Sequence, residues 1–375
     1  MTTKRFNPRL ESLVSYKPVK PLRLLADELG FNPDQLLKLD GNENPYPTPP
    51  SVQVALANLD NIAAYPDPYS SELVAELSKN LQLPRANIVV GAGADELIDL
   101  LIRSFVPSNG IVVAPTPCFG MYKHLTKING STFVGVRSEL VVSGSTASFK
   151  INEEELLSRS KQAELVFITR PNNPDGAMMD SLVVESCLDM AKLVVVDEAY
   201  IEFSGGSSLV KEVLKRDNLL VLRTFSKAFG LGGLRVGYGV VPTSVKELLT
   251  KIKQPYNVNK AGEAAAIASL VEPTILENVE LMKATRDLTL SQLRQEGEEG
   301  QQFSVFDSKA NFILICFLNS QVAQDIYFKL RKRGILTRYY SEVPLDCCLR
   351  VSVGTSSQMD RFMLEFRNVT KEVLL

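Results

Sequence analysis

Between about residue 72 and residue 241 the chain alternates two hydrophobic patterns. Short apolar runs recur at Ile88-Val-Val, Ile111-Val-Val-Ala, Thr132-Phe-Val, Leu165-Val-Phe-Ile-Thr, Leu193-Val-Val-Val, Leu219-Leu-Val-Leu and Val236-Gly-Tyr-Gly-Val-Val. Several are apolar on successive residues, the pattern of strands covered on both faces. Amphipathic segments separate them. From Ala94 to Phe105, for example, Leu97, Ile98, Leu101, Ile102 and Phe105 fall on one helical stripe. This alternation predicts an α/β domain with a mostly parallel seven-stranded sheet and helices on both faces.

The flanks read differently. Residues 1–50 are Pro-rich (Tyr16-Lys-Pro-Val-Lys-Pro, Asn44-Pro-Tyr-Pro-Thr-Pro-Pro) and suit an extended arm that joins a smaller domain. The large domain then spans 51–260. Residues 261–375 read as a long polar helix (about Pro273 to Glu296) and a small α+β domain. Its parts are a strand at Asn311-Phe-Ile-Leu-Ile-Cys, a helix from Ser320 to Leu330, a strand at Leu349-Arg-Val-Ser-Val and a helix from Met359 to Val373.

Composition narrows the chemistry. Of 375 residues, 45% are hydrophobic and 22% charged, as in ordinary globular enzymes. A formal net charge of -2 gives no electrostatic footprint for nucleic acid or an anionic membrane. No apolar run reaches the roughly 18 residues of a membrane helix, and the start lacks the apolar core of a signal peptide. The five cysteines follow no metal or disulfide spacing, so a reducing cytoplasm is the expected location. There is one histidine, His124, which excludes two-His metal sites within the chain and leaves no nucleophile motif beside it. Acid–base work must come from Lys, Tyr, Asp or a cofactor.

Ligands of open α/β sheets bind beyond the carboxyl ends of the strands. Gly91-Ala-Gly-Ala-Asp-Glu follows the first run and opens a helix, where free N–H groups suit a phosphate; Glu96 stands where a dinucleotide fingerprint needs its third glycine. Arg170-Pro-Asn-Asn-Pro-Asp-Gly follows another run and by itself reads as a turn. Asp197-Glu-Ala-Tyr ends a buried run, and a carboxylate there is costly unless a cation or donors meet it. Lys227 lies in Arg223-Thr-Phe-Ser-Lys-Ala-Phe-Gly-Leu-Gly-Gly-Leu-Arg235. A phosphate-type helix start, a strand-end Asp, a Lys and a trailing Arg converge on one crevice, which describes a pyridoxal 5′-phosphate (PLP) site.

The lysine segment resembles that of fold-type I PLP-dependent aminotransferases, and of the histidinol-phosphate aminotransferases among them. Matching segments follow in family order over nearly the whole chain: Asn42-Glu-Asn-Pro-Tyr, Tyr65-Pro-Asp, Gly93-Ala-Asp-Glu, Phe119-Gly-Met-Tyr, Pro171-Asn-Asn-Pro-Asp-Gly, Val196-Asp-Glu-Ala-Tyr, Gln254-Pro-Tyr-Asn-Val-Asn, Ala310-Asn-Phe and Leu349-Arg-Val-Ser-Val-Gly-Thr. The resemblance implies that Lys227 bonds the cofactor aldehyde and then shuttles a proton, and that Asp197 keeps the pyridine nitrogen protonated. Asn173 and Tyr200 would hold the phenolic oxygen and Phe119 would stack on the ring. The backbone of Ala94 and Asp95, with Thr224, Ser226 and Arg235, would hold the phosphate. Tyr65 would reach the cofactor phosphate of a second subunit, implying a homodimer. On the substrate side, Arg350 would bind the carboxylate of glutamate, Arg338 and Tyr16 would surround a substrate phosphate, and Asn44 would lie near the polar end.

The implied reaction is L-histidinol phosphate plus 2-oxoglutarate giving imidazole-acetol phosphate plus L-glutamate, a step of histidine biosynthesis. Aromatic amino-acid transamination and decarboxylation of a phosphorylated threonine use the same scaffold and stay open. A non-catalytic PLP-fold binding protein is a rival from another class, opposed by the presence of Lys227, Asp197 and Arg350. Three loop positions depart from the family pattern: Val19 and Pro47 in place of glycines, and Asp175 in place of a threonine.

Overall fold

A computed structural model describes residues 8–374 except 12, 16, 17, 207, 301 and 302. Strands β1 (Ile88–Gly91), β2 (Ile111–Thr116), β3 (Thr132–Ser143), β4 (Thr146–Ile151), β5 (Leu165–Thr169), β6 (Val194–Asp197), β7 (Leu219–Thr224) and β8 (Gly237–Val240) follow in chain order. The large sheet has the order β3-β2-β5-β6-β7-β8-β1. Its pairs are parallel from β3 through β7, while β8 runs antiparallel to both neighbours.

Successive residues of its central strands enter two separate cores. Val166 and Ile168 of β5, with Val194 and Val196 of β6, pack on one face. Leu165, Phe167 and Val195 pack on the other. That is why these runs are apolar without alternation. The helix Ala94–Phe105 has the expected bounds and buries Leu97, Ile98, Leu101 and Ile102.

The smaller sheet holds β9 (Phe303–Phe306), β10 (Phe312–Phe317), β11 (Arg338–Tyr339) and β12 (Cys348–Ser352). It departs from the sequence expectation in one respect: it is not separate. The first half of β3 pairs with β2, and Ser138–Ser143 continue into a hairpin with β4. β4 then pairs in parallel with β9 at Val305↔Thr146 and Phe306↔Ala147, so one ladder of strands runs through both regions. The hairpin half of β3, Ser138-Glu-Leu-Val-Val-Ser, is largely exposed, Val141 and Val142 included, and is not among the apolar runs of the sequence pattern. The arm joins this region too, through Leu37↔Ile335 and Lys38↔Leu336.

The linking helix, Pro273–Gly300, carries Arg286, which is 2% exposed. Its Nη1 donates to Phe203 O at 2.9 Å and Ala310 O at 3.2 Å, and its Nε to Asp287 Oδ1 at 2.8 Å. One guanidinium thus ties the turn after β6 to the segment before β10. Replacing it strands two carbonyls that have no water to turn to. Arg286→Met is expected to lower unfolding stability by about 3 kcal/mol with an unchanged slope against urea. A loss below about 0.5 kcal/mol would show that the tie carries no weight.

Candidate functional site

The ends of the parallel strands lie side by side in register. Thr169 pairs with Asp197, Asp197 with Leu222, Thr224 with Gly237, and Gly91 with Gly237. Asp197 is 3% exposed. Its Oδ2 accepts from Tyr122 OH at 2.7 Å and its Oδ1 from Ala199 N–H at 3.0 Å. The Tyr122 proton is committed to Asp197, so the Thr169 hydroxyl at 2.9 Å donates to the Tyr122 oxygen. Burial pushes the Asp197 carboxyl up to about 6 against the pull of these donors, with the Asp95 and Glu198 charges adding to the rise. Among the described residues it meets donors and no cation, and a cationic ring nitrogen is the partner that would relieve it.

Lys227 lies at half burial on the turn after β7. Its Nζ donates to Gly41 O at 3.3 Å and Asn42 O at 3.2 Å and lies 5.7 Å from the centre of the Tyr200 ring. Burial first, then the Arg350 charge, lowers the amine to about 8. Much more of it is therefore neutral and nucleophilic near pH 7 than of an ordinary lysine.

An anion cradle closes one end. The helix Ala94–Phe105 begins after Gly93 with no side-chain cap, leaving its first N–H groups open. Arg235, at φ 55°, reaches over Gly93 and donates to Asp95 Oδ2 at 2.9 Å, Gly232 O at 3.2 Å and Ser226 Oγ at 3.4 Å. Gly93 has φ +83°, and a Cβ there would sit 2.6 Å from Arg235 Nη2, so only glycine lets the guanidinium approach. Thr224 Oγ1 accepts from Ser226 N–H at 3.1 Å. Glu96, at the fingerprint position, accepts from Ala92 N–H ahead of the helix and from Asn257 Nδ2, both at 2.6 Å.

The other end gathers amides and a guanidinium. Tyr200 OH accepts from Asn42 Nδ2 at 3.2 Å and Asn173 Nδ2 at 3.4 Å, and burial raises its phenol to about 12. Arg350, 7% exposed, donates to Asn173 Oδ1 at 2.6 Å and Asp40 O at 3.0 Å. Its Nε is buried without a hydrogen-bond partner. A buried donor left open costs about 1–3 kcal/mol, so it marks a ligand position. Arg338 on β11 is the direct cross-strand partner of Arg350, with its guanidinium 5.9 Å from the Tyr340 ring.

The structure thus gathers Asp197, Lys227, Tyr200, Asn173, Arg350, Asp95, Ser226 and Arg235 in one hydrogen-bonded and electrostatic network. Phe119 stands edge-on to Tyr122 at 5.7 Å. Asn44 holds the chain itself: its amide donates to Lys227 O at 3.3 Å and Ala228 O at 2.9 Å. Tyr65 is 79% exposed and stacks on Tyr256 at 4.6 Å. Tyr16 lies outside the described residues. Asp175 is 2% exposed, accepts from Asn172 Nδ2 at 2.8 Å, and is pushed up to about 6 by burial.

Sequence reasoning missed Tyr122 and Asn42. Tyr122 was visible only as the last residue of Phe119-Gly-Met-Tyr. Asn42 has φ 52°, a left-handed backbone that Asn tolerates well, and its own N–H donates to Ser352 Oγ at 2.8 Å.

The Asp197 shift has a measurable sign. With the folded carboxyl near 6 and the ordinary value at 3.8, the neutral form's advantage is lost as pH rises between those values. Above that window the buried charge weakens the ligand-free fold by about 3 kcal/mol. Asp197→Asn in ligand-free protein should therefore gain stability across this window and plateau above it, as read by urea unfolding at a series of pH values. A pH-independent difference would place the carboxylate in water.

The aminotransferase class I and II family matches residues 34–365. The chain is 38% identical over 358 residues to the chloroplastic histidinol-phosphate aminotransferase of Nicotiana tabacum, covering 95% of this chain and 84% of that protein. It is 38% identical to the histidinol-phosphate aminotransferase of Roseiflexus castenholzii, covering 98% and 97%. The crystal structure of histidinol-phosphate aminotransferase from Sinorhizobium meliloti, in complex with pyridoxal-5′-phosphate, superposes with a TM-score of 0.85 at 25% identity, covering 99% and 98%. The chain belongs to the aminotransferase class I and II family.

Proposed function

We propose that this chain is a PLP-dependent aminotransferase that passes the amino group of L-histidinol phosphate to 2-oxoglutarate, within histidine biosynthesis. The observation that carries the reading is the convergence of a low-pKa Lys227, an uncompensated buried Asp197, an open anion cradle at Gly93 and a buried open donor on Arg350. These groups fit the cofactor part by part. PLP, when bound, supplies an aldehyde that condenses with amines and a ring that accepts an electron pair. Asp197, held by Tyr122 and Ala199, would meet the ring nitrogen and keep it protonated. Tyr200 and Asn173 would hold the phenolic oxygen, while Arg235 and the N-terminus of Ala94–Phe105 would hold the phosphate.

Lys227 would bond the aldehyde and, as a free amine, would carry a proton on Nζ between the substrate Cα and the cofactor's aldehyde carbon, the two carbons that flank the shared nitrogen. Arg350 offers Nε and its planar fork to the carboxylate of glutamate and 2-oxoglutarate. Histidinol phosphate carries a phosphate ester on the carbon where glutamate carries its α-carboxylate, and an imidazole where glutamate carries its distal carboxylate. Arg338, across from Arg350 on the neighbouring strand, would take the phosphate of histidinol phosphate or the distal carboxylate of glutamate, a role its cross-strand position supports. The exposed Tyr65–Tyr256 stack supports a homodimer in which Tyr65 touches the second subunit's cofactor phosphate. No helix among the described residues is long and apolar enough to cross a membrane. All five cysteines are free thiols, which supports a cytoplasmic location.

Borohydride reduction of the PLP-loaded protein should fix the cofactor on the peptide that contains Lys227. Label on another lysine would overturn the assignment. For the substrate, histidinol phosphate, phosphothreonine and phenylalanine are offered separately while the cofactor's absorbance is followed, and histidinol phosphate should bleach it most efficiently.

In Arg338→Ala, kcat/KM for histidinol phosphate should fall about 10- to 150-fold, the cost of one charge-assisted contact. Glutamate should share part of that loss through its distal carboxylate. Phenylalanine, with no distal anion, should be nearly indifferent. Equal losses for phenylalanine and histidinol phosphate would show that Arg338 supports the fold and does not read phosphate.

A further inference from the structure

Away from the cofactor crevice, the smaller sheet brings three thiols to one corner. Cys316 on β10 and Cys348 on β12 are direct cross-strand partners. Phe317 N–H donates to Cys347 O at 2.8 Å, so the 316/348 pair is of the non-hydrogen-bonded kind, in which side chains approach most closely. Cys347 precedes β12 and turns its sulfur back between them. Its Sγ lies 3.7 Å from that of Cys316 and 3.9 Å from that of Cys348. All three sulfurs lie within 4.8 Å of one another.

Those spacings have a chemical meaning. Zinc–thiolate bonds of about 2.3 Å directed to the corners of a tetrahedron put neighbouring sulfurs about 3.8 Å apart. Two of the three edges already have that length. A disulfide needs its sulfurs at about 2.05 Å and would use only two of the three thiols. Cys347 is nearly equidistant from both neighbours, so the geometry favours neither pairing. Cys316 and Cys348 are buried, whereas Cys347 is half-buried and gives access from solvent. Tyr340, Leu345, Phe306 and Leu314 surround the corner with apolar surface, where an ion–thiolate bond faces little competition from water. Asp346, next to Cys347 in the chain, adds negative charge.

We propose that Cys316, Cys347 and Cys348 form a three-thiolate site for a thiophilic d10 cation, with Zn²⁺ as its representative and a fourth position open to water on the Cys347 side. Binding involves no change of oxidation state. Three S–H protons go to solvent as three metal–sulfur bonds form, so uptake strengthens with rising pH. The ion would pin the loop between β11 and β12 to the sheet, beside the strand that carries Arg350. It takes no part in amino transfer.

The test uses PLP-loaded protein prepared reduced and free of metal. Zn²⁺ is titrated in and followed by native mass spectrometry, and Cd²⁺ is followed by thiolate-to-metal absorption in the ultraviolet. The expected result is one ion per chain, proton release on binding, a higher melting temperature, and a Cd²⁺ band of three-thiolate intensity. Cys347→Ser, at the half-buried position, should lose the stoichiometric uptake while keeping its cofactor spectrum, and Cys187→Ala should bind as the parent does. The Cd²⁺ band of the parent protein decides the matter should a variant fail to fold. Absence of stoichiometric uptake, uptake unaltered in Cys347→Ser, or three titratable thiols in place of five in unfolded protein isolated without reductant would each overturn the proposal, the last by showing a disulfide.

Discussion

A carboxylate sits at the end of a strand buried along its whole length, and no cation among the described residues meets it. Asp197 is flanked by β5 and β7, so water cannot reach it from either side. Tyr122 and the Ala199 N–H supply hydrogen bonds, and even so the carboxyl is held well above its ordinary range. Ordinary stability would favour an apolar residue there. The penalty is sensible only for a site that receives a positive charge from outside. The surrounding groups answer to the same demand: Thr169 orients Tyr122, Tyr122 orients Asp197, and Phe167 stacks on Tyr122 at 4.4 Å to hold the phenol in place.

A second constraint is that no single region of the chain completes the crevice. The arm contributes Asn42, whose carbonyl accepts from Lys227 Nζ and from Asn311 Nδ2, and whose amide reaches Tyr200. The cluster beneath combines Tyr200 and Ala228 with Val279 and Met282 of the linking helix and Ala310 and Phe312 of the smaller sheet. Arg350 crosses from that sheet to Asn173 on the loop after β5. A rigid position for Lys227 therefore depends on packing between all three regions, with the Arg286 guanidinium as one of the ties. Asn44 strengthens the same seam by holding the carbonyls of Lys227 and Ala228.

The geometry also separates the tasks of the two arginines. Arg350 is buried, lies 5.3 Å from the centre of the Phe312 ring, and is held by two acceptors, so its fork points one way. Arg338 sits opposite it on the two-residue strand β11, half-buried and beside Tyr340. A fixed guanidinium suits an anion that always takes the same position. A less buried one suits the part that varies.

What the amino-acid sequence determined by itself was local or periodic. Apolar runs without alternation specified strands covered on both faces, and the stripe from Leu97 to Phe105 specified its helix to the residue. The strand-end rule then pointed to Asp197, Lys227 and Arg235. Tertiary structure decided the rest. Tyr122 meets Asp197 across 75 residues and Asn42 meets Tyr200 across 158, distances at which no hydrophobic period survives. The exposed half of β3 became a strand because β4 supplied its hydrogen-bond partners, with Leu140 packed against an apolar cluster. Of the three thiols of the smaller sheet, Cys347 and Cys348 are neighbours in the chain, but Cys316 lies 31 residues away, and only the register of β10 against β12 brings it to contact distance. Propensity and burial pattern act on neighbours in the chain, whereas hydrogen bonds and charge act on neighbours in space, and those are chosen only when the sheets close.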